Sequence, residues 1–268
     1  MTRDERARLV ECRVPELRAA VLGLAQGLER LAREAGPAFV VARNDEGELV
    51  LLRRGALVGT TRSADALLGA LEVELDAEVP RLLAGRCVFH AAAAGAVLVV
   101  GESRAGKSTL VTALVARGLA YLTDDGAVVE EDGSVTPYPR RIGLRPGGLA
   151  LLGPPGQRFV RLSYELDDRP RIEYLVPTAE ATATAPARVQ VLAFLEREGT
   201  TYGERPLSAA EATARLLVHA RQTDDPGRDL RRALRLVASA PARRVVTGGS
   251  PSAIAEALLK LLGEPVVA

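Results

Sequence analysis

The run Gly101–Ser108 limits the folds open to this chain more than any other part of the sequence. It reads Gly-Glu-Ser-Arg-Ala-Gly-Lys-Ser and fits the pattern G-x-x-x-x-G-K-[ST]. The apolar run Gly95–Val100 precedes it, and a helix-like stretch, Ser108–Arg117, follows it. A strand, a glycine-containing loop and a helix in this order bring backbone N–H groups to a helix N-terminus, where they bind phosphate. The sequence therefore predicts an α/β core in which Gly101–Ser108, called the glycine loop below, binds phosphate.

Lysine usage singles out one residue of the glycine loop. Of the 35 basic residues, only Lys107 and Lys260 are lysine. A compact ammonium fits among converging backbone N–H groups better than the planar guanidinium of arginine does. We therefore expect Lys107 to reach the β- and γ-phosphates of a nucleotide and the Ser108 hydroxyl to bind Mg²⁺. The predicted phosphate ligands in and beside this loop are Gly101, Ser103, Ala105, Gly106, Lys107, Ser108 and Thr109.

Two adjacent carboxylates come after the loop. Asp124 and Asp125 follow the short apolar strand predicted at Leu119–Leu122. One carboxylate of such a pair can hold Mg²⁺ directly or through water, while the other accepts a proton from an incoming hydroxyl. Asp-Asp-Gly is also a common sequence in turns, so the pair could have no role beyond forming one. A catalytic role is favoured because the pair lies one crossover after a phosphate-binding loop.

The motifs after the loop exclude two large classes of nucleotide-binding protein. Common GTPases carry Asn-Lys-x-Asp after the loop, but the single asparagine of the chain, Asn44, precedes it. A transporter-type ATPase would carry a Leu-Ser-Gly-Gly-Gln signature, which the sequence lacks. Phosphoryl transfer needs mainly positioning and charge neutralisation, which the loop and the acid pair can supply.

Charge and composition narrow the partners and the compartment. A net charge of +1, from 35 basic and 34 acidic residues, gives the chain no excess of positive charge with which to bind nucleic acid or an anionic membrane. The longest apolar stretch, Ala91–Val100, is too short to span a bilayer, and the N-terminus has no apolar signal region. Cys12 and Cys87 form no CxxC pattern, and with two histidines they make no convincing zinc site. We expect a cytoplasmic protein that binds neither nucleic acid nor a membrane.

Periodicity and turn residues predict two units, a small α+β N-terminal unit over residues 1–86 and a catalytic α/β unit over residues 87–268. In the first unit the predicted elements are a helix over Val14–Ala35, a β-hairpin of Phe39–Arg43 and Glu48–Arg53, and a helix from Ser63 to Glu78 that Pro80 closes. In the second unit they are, beyond the acid pair, a turn-rich stretch over Gly133–Arg161, an exposed segment over Asp167–Thr184, strands Val189–Leu195 and Arg243–Thr247, and helices Ser208–Gln222, Arg228–Val237 and Ser250–Leu262.

The residues from the glycine loop to the acid pair resemble one family. Gly-Glu-Ser-x-x-Gly-Lys-Ser, then Arg117-Gly118, then Asp124-Asp125 are similar to the catalytic domain of HPr kinase/phosphorylase. They are also similar to the HPr-kinase-like proteins found with peptide-modification and other bacterial biosynthetic genes. The similarity covers residues 87–145. It implies a P-loop kinase core related to ATP-dependent phosphoenolpyruvate carboxykinase, with ATP as the donor and a serine hydroxyl as the acceptor.

The resemblance also implies roles for particular residues. Lys107 binds phosphate, Ser108 and Asp124 hold Mg²⁺, and Asp125 accepts the proton of the acceptor hydroxyl. His90, on a strand predicted before the loop, is similar to the family's active-site histidine and would assist near the acceptor. Without the resemblance, a lone histidine beside an alanine run is more often a core residue.

The sequence departs from the family pattern at two places. Residues 1–86 are too short and too different to be the usual N-terminal domain of HPr kinase, which argues against HPr as the substrate. The stretch Pro137–Pro146 lacks the glutamate that supplies a further metal contact in the family, and carries Arg140, Arg141 and Arg145 instead. Arg140 and Arg145 are candidates to hold phosphates bidentately, although a solvated basic loop explains them equally well.

Together these features predict an ATP- and Mg²⁺-dependent kinase that transfers the γ-phosphoryl group to a hydroxyl, first of all a serine of a peptide or protein. A precursor peptide of a lasso-type pathway is the first candidate for the acceptor. Two alternatives stay open, a small-molecule kinase and a non-catalytic ATP-binding regulatory switch. The resemblance is also compatible with a homo-oligomer.

Overall fold

The computed structural model of the chain describes residues 9–28, 37–154, 156–166, 169–197, 202–221 and 224–263. It is a mixed α/β protein that divides into two compact units. The first unit takes the described residues up to Ala84 together with Arg161–Val176, and the second takes the others. The predicted division between residues 86 and 87 lies close to Ala84, but the prediction left Arg161–Val176 out of the first unit.

The elements are numbered along the chain. The strands are β1 (Val10–Cys12), β2 (Phe39–Arg43), β3 (Leu49–Arg53), β4 (Ala56–Thr61), β5 (Cys87–Phe89), β6 (Ala91–Ala94), β7 (Val97–Gly101), β8 (Tyr121–Thr123), β9 (Ala127–Val129), β10 (Ser134–Thr136), β11 (Ile142–Gly143), β12 (Phe159–Leu166), β13 (Arg169–Pro177), β14 (Ala187–Arg188), β15 (Val191–Glu196), β16 (Tyr202–Pro206), β17 (Ala220–Arg221) and β18 (Ala242–Thr247). The helices are α1 (Arg18–Ala25), α2 (Ala64–Leu83), α3 (Lys107–Ala116), α4 (Pro146–Leu152), α5 (Ala209–Val218), α6 (Pro226–Ser239) and α7 (Pro251–Leu262), with a short 3-10 helix at Pro15–Leu17. None of the helices in the described ranges is both long and apolar enough to cross a membrane.

The first unit is built on a four-stranded sheet in the order β1-β2-β3-β4. The predicted hairpin of β2 and β3 is confirmed, and in its turn Asn44 accepts hydrogen bonds from the N–H groups of Glu46 (3.1 Å) and Glu48 (2.8 Å). β4 was not predicted. It follows a turn in which Arg54 and Gly55 have φ angles of 49° and 81°. Arginine rarely adopts a positive φ, so Gly55 is the residue of this turn that the sequence could have signalled.

The helix predicted over Val14–Ala35 is much shorter in the structure. α1 begins only at Arg18, after the 3-10 helix, and it ends at Ala25. Gly27 lies in the turn that follows, with a φ of 82°. Glycine adopts this left-handed conformation without steric cost, so it ends the helix earlier than the apolar stripe suggests. Residues 29–35 of the predicted helix lie outside the described part of the chain.

The prediction that Pro80 closes the second helix at Glu78 is wrong. α2 continues through the proline to Leu83. Proline removes one hydrogen bond from a helix interior, and the burial of Leu82 and Leu83 offsets that cost. Glu78 is itself fully buried, and its carboxylate forms an ion pair with Arg53 (3.0 Å), which ties α2 to β3.

The second unit contains a six-stranded sheet in the order β16-β18-β15-β7-β6-β8. β15 pairs in parallel with both β7 and β18, so the carboxyl ends of these strands meet at one edge. The alternation of apolar runs and helix-like stretches in the sequence predicted an α/β core but not the direction of its strands. It did not indicate that β6 is antiparallel to β7 and β8. β6 consists of four alanines, and because alanine has a low β-propensity this run gave no strand signal.

The second unit also contains a five-stranded sheet in the order β14-β10-β9-β5-β17, which packs against the six-stranded sheet of the same unit. Phe89 of β5 and Leu98 and Val100 of β7 belong to one buried cluster that also includes residues of α5 and α6. The alternate residues of β7, Val97 and Val99, are buried as well. α3 and α7 pack against the six-stranded sheet on this other side. The central strand β7 is therefore covered on both faces, as in layered α/β proteins.

Two segments predicted as loop or exposed chain form secondary structure instead. The turn-rich stretch Gly133–Arg161 contains β10, β11, α4 and the start of β12. The segment Asp167–Thr184 includes β13, and its Ala181 and Thr182 are buried, so the prediction of an exposed excursion is wrong. Thr182 forms a β-bridge with Tyr121. The many charged residues of this segment hid the two-residue period that a strand shows. Residues 167 and 168 lie outside the described ranges.

The final third of the chain follows the predicted order of elements more closely. The predicted strands are found as β15 and β18, and two of the predicted helices as α6 and α7. The first residues of two predicted helices act as N-caps, since Ser208 accepts from the N–H of Glu211 (3.2 Å) and Ser250 from that of Ser252 (3.2 Å). The prediction that the helix from Ser208 runs to Gln222 is wrong. α5 stops at Val218 because the chain then enters β17, which pairs with β5.

A carboxylate holds three elements of the second unit together. Glu196, at the end of β15, pairs with Arg215 of α5 and with Arg244 of β18, whose Nε lies 2.6 Å from Oε2. The hydrogen bonds with Arg244 and Arg215 lower the pKa of Glu196 from its ordinary 4.5 to about 2. The ionised form is therefore favoured in the folded protein relative to the unfolded chain.

This shift predicts how stability depends on pH. A carboxylate with a lowered folded pKa contributes stability that is fully present above 4.5 and disappears as the pH falls toward 2. Glu196→Gln should lower the stability of the second unit at pH 7 by about 1 kcal/mol, since solvent screens these partly exposed ion pairs. The gap between variant and unmodified protein should close as thermal unfolding is followed to lower pH. Glu131→Gln, at an exposed position, is the control and should show no such gap.

Candidate functional site

A cleft of about 680 Å³ opens in the second unit beside the glycine loop. The loop connects β7 to α3, and Arg197 and Thr247 line the same cleft where β15 and β18 end. The cleft thus lies at the carboxyl ends of the parallel strands, the edge where α/β sheets bind ligands. Of the residues predicted for the site, those that line it are His90, Ser103, Ala105, Gly106, Lys107, Ser108, Thr109, Asp125 and Arg145. Those that do not line it are Gly101, Asp124 and Arg140.

Gly101 is required by packing between strands. A Cβ on this residue would lie 3.0 Å from the carbonyl oxygen of Leu195 and 3.3 Å from the Cβ of Ala105. Gly101 does not line the cleft: its backbone pairs with β15, and its carbonyl accepts a hydrogen bond from Lys107 (2.7 Å), so its role as a phosphate ligand stays a prediction. Gly106 differs, since it lies at the N-terminus of α3 with a φ of 104° and carries no side chain to cap the helix. The first N–H groups of α3 are thus left for a ligand.

The side chain of Lys107 is buried and held by three acceptors. Its Nζ donates to the carbonyl oxygens of Gly101 (2.7 Å) and Glu102 (2.9 Å) and lies 2.9 Å from Nε2 of His90. Burial lowers the pKa of Lys107, while the charges of Asp125 and Asp124 act in the opposite direction. The lysine is therefore fixed at the base of the glycine loop.

His90 connects Lys107 to the second aspartate. An ammonium can only donate, so Nε2 of His90 accepts from Lys107. The other ring nitrogen, Nδ1, lies 2.5 Å from Nη2 of Arg221. Nδ1 lies 3.0 Å from Oδ1 of Asp125. Arg221 adds a guanidinium to this pair, with Nη1 3.1 Å from the carbonyl oxygen of Asp125 and Nη2 3.3 Å from its Oδ1. Lys107, His90, Asp125 and Arg221 form one continuous polar chain, called the relay below.

The backbone of the acid pair explains how Asp125 reaches the relay. Asp124, Asp125 and Gly126 make the connection from β8 to β9, and Asp125 has a φ of 63°. Aspartate tolerates this left-handed conformation better than most residues. Burial acts to raise the pKa of Asp125, but the hydrogen bond with His90 and the charge of Arg221 outweigh it, so the pKa lies below its ordinary value. Asp125 is thus an ionised carboxylate facing the cleft.

Asp124 lies in a different environment although it is the adjacent residue. It is 5% exposed, and its Oδ1 accepts a hydrogen bond from the Ser108 hydroxyl at 3.1 Å. Burial raises the pKa of Asp124 to about 6, although the hydrogen bond from Ser108 acts to lower it. A carboxylate and a hydroxyl at this distance are the oxygen ligands that Mg²⁺ uses when it also binds substrate phosphates. In the described ranges no group of three or more His, Cys, Asp or Glu residues could hold a metal by itself. Asp124 and Ser108 thus supply two oxygen donors of the kind that Mg²⁺ takes together with phosphate oxygens.

The two predicted arginines behave differently. Arg145 lines the cleft at the start of α4. Arg140 does not line the cleft, and its guanidinium lies 6.0 Å from the centre of the Tyr138 ring, so its role as a phosphate ligand stays a prediction. Its charge still acts on the site, since it opposes the rise in the pKa of Asp124 and adds to the lowering of the pKa of Asp125.

Arg197 and Arg221 were not among the residues predicted for the site. Arg197 follows a predicted strand, and the rule that ligands bind at the carboxyl ends of parallel strands could have pointed to it. Arg221 carries no comparable signal, because the residues it contacts, His90 and Asp125, are far from it in sequence and β17 was predicted as helix.

No protein-family model and no curated protein matches the chain. Support for a function therefore comes from the geometry of the cleft and from the resemblance of residues 87–145.

The packing at Gly101 predicts a stability effect. Gly101→Ala should force β7 and β15 apart and lower the stability of the second unit by about 1–3 kcal/mol, the usual cost of overpacking. Gly59→Ala is the matched control, since a Cβ there meets nothing within 4 Å. Thermal unfolding of both variants checks the expectation. Equal melting temperatures for the two variants would show that Gly101 is not required by packing.

Proposed function

We propose that the chain is an ATP- and Mg²⁺-dependent kinase that transfers the γ-phosphoryl group to a hydroxyl. The observation that carries the proposal is the relay, in which the lysine of the glycine loop is joined through His90 to an ionised carboxylate at the cleft. A protein that only binds nucleotide needs the loop and a metal ligand. It does not need a proton acceptor connected to that loop.

Residues of the cleft, together with Asp124 next to Ser108, have separate roles in the proposed phosphoryl transfer. The first turn of α3 and Lys107 bind the phosphates, and Ser108 with Asp124 are the residues that would hold Mg²⁺. When bound, Mg²⁺ neutralises charge on the phosphate oxygens and orients them. Asp125 accepts the proton of the acceptor hydroxyl, because it is ionised and lies at the cleft surface. Arg221 and His90 hold the Asp125 side chain in place for that step.

A peptide or protein serine is the proposed acceptor, and its support is the resemblance to HPr-kinase-like proteins. The same resemblance supports a P-loop kinase core of the HPr kinase and phosphoenolpyruvate carboxykinase type. The strand, glycine loop and helix formed by β7 and α3 are consistent with that core.

Lys107→Ala tests the binding of phosphate. Removing the ammonium should lower ATP turnover by about 10² or more, because a charge facing the transferring group is lost. Lys260→Ala, on α7, is the matched control in a chain with two lysines, and it should leave turnover unchanged. Calorimetry with ATP and Mg²⁺ and a turnover assay measure both effects. A Lys107→Ala protein with normal binding and turnover would contradict the assignment of the loop.

Asp125→Asn separates a kinase from a nucleotide-dependent switch. The amide keeps the size of the side chain but cannot take up the proton, so transfer should fall by about 10² to 10⁴ while ATP binding changes little. Asp45→Asn, at an exposed turn of the first unit, is the control. Mass spectrometry of serine-containing peptides incubated with ATP and Mg²⁺ measures the transfer. A switch would show no transfer with any variant and a partner affinity that depends on nucleotide.

A further inference from the structure

The chain contains two histidines, and the structure brings them together. The ring centroids of His90 and His219 lie 6.0 Å apart, with an angle of 41° between the ring planes. Aromatic rings at this separation lie within the range in which such pairs attract each other. His219 was not predicted for the site and does not line the cleft. Its ring is therefore beside the relay but outside the cleft lining.

The backbone fixes the position of His219 on both sides. His219 follows the last residue of α5, and its N–H donates to the carbonyl oxygen of Leu216 (3.0 Å), a residue of the buried core. On the other side β17 begins, and Ala220 pairs with Phe89 of β5. The carbonyl oxygen of His219 accepts a hydrogen bond from the N–H of His90 at 2.6 Å. The two histidines are thus joined through the main chain as well as through their rings.

The ring of His90 needs a support that does not depend on Lys107. The three protons of the Lys107 ammonium are directed at the carbonyl oxygens of Gly101 and Glu102 and at Nε2 of His90. A phosphate that binds this ammonium must therefore weaken or replace one of the three contacts, and His90 is the only side chain among them. The contact with His219 comes from the connection between α5 and β17, so it persists when the Lys107 side chain moves.

The surroundings of His219 keep its ring neutral. Burial lowers the pKa of His219 from its ordinary 6.5, and the Glu102 carboxylate opposes this shift without cancelling it. Three nearby basic groups reinforce the shift: His90, Lys107 and Arg221. At pH 7 the ring of His219 therefore packs beside the relay without adding a further positive charge to it.

We propose that His219 is a positioning residue, which holds the ring of His90 so that the Asp125 carboxylate stays directed at the acceptor hydroxyl. The inference rests on the proposed function, because that function makes Asp125 the proton acceptor. His219 acts through His90, which lies 3.0 Å from Oδ1 of Asp125. Loss of the His219 ring should therefore slow the transfer step and leave ATP binding unchanged.

Nuclear magnetic resonance of the full chain tests the position directly, since two histidines give two sets of imidazole signals. In the unmodified protein the ring protons of His90 and His219 should show a through-space contact. In His219→Gln, which stays polar but has no ring, the remaining His90 signals should broaden or double because the ring takes up several orientations. In His219→Phe, which keeps a ring, they should stay single and narrow.

The neighbouring residue supplies the control. Val218 is 75% exposed, so Val218→Ala should leave both sets of signals unchanged. His219→Leu serves as the ring-free variant if thermal unfolding shows that His219→Gln is not folded. Single, narrow His90 signals in the ring-free variant would overturn the inference, whatever its activity.

Kinetics test the consequence for phosphoryl transfer, with ATP, Mg²⁺ and serine-containing peptides. His219→Gln should lower kcat by about tenfold with little change in the KM for ATP, and His219→Phe should restore kcat to within about threefold. Equal losses in the two variants, or a lower melting temperature with kcat unchanged, would contradict the inference. If the unmodified protein phosphorylates none of the peptides, the proposed function fails, while the His90 signals still decide whether His219 positions that ring.

Discussion

The parallel pairing of β15 with β7 and with β18 is the constraint on which the rest of the second unit depends. It brings the ends of three strands to one edge, where the glycine loop, Arg197 and Thr247 border a common cleft. The close approach of the strands leaves no room for a Cβ at Gly101. The first glycine of the loop is thus dictated by strand packing and the second, Gly106, by the left-handed turn into α3. The two glycines of the G-x-x-x-x-G-K-[ST] pattern therefore meet two different structural requirements.

Burying charge beside the loop has a cost that the relay offsets. Lys107 is 6% exposed, and an isolated ammonium at such a depth would be strongly disfavoured. Two loop carbonyls and His90 satisfy its three protons, and Asp125 supplies the opposite charge within the same chain of contacts. Arg221 then compensates Asp125. Each charged group is held by its neighbours, so the cleft has a rigid polar wall before any ligand enters it.

Adjacent aspartates show how the fold assigns different chemistry to the same residue type. Asp124 is buried against Ser108, and burial raises its pKa to about 6. Asp125 turns toward solvent and His90, and its pKa is lowered. The left-handed backbone at Asp125 directs the two side chains to these different surroundings. Two adjacent residues of the same type thus differ in burial, in hydrogen-bond partners and in the direction of their pKa shifts.

The sequence by itself determined the features that depend on neighbouring residues: the glycine loop and its helix, the aspartate pair, the hairpin at Asn44 and the helix caps. Each of these is fixed by backbone geometry or hydrogen bonds within a few residues. Only the tertiary structure decided the features that depend on distant contacts. Arg221 reaches His90 only because β17 pairs with β5, and Pro80 stays helical only because the leucines after it are buried. Arg161–Val176 joins the first unit for the same reason, since packing between distant segments leaves no local pattern for the sequence to show.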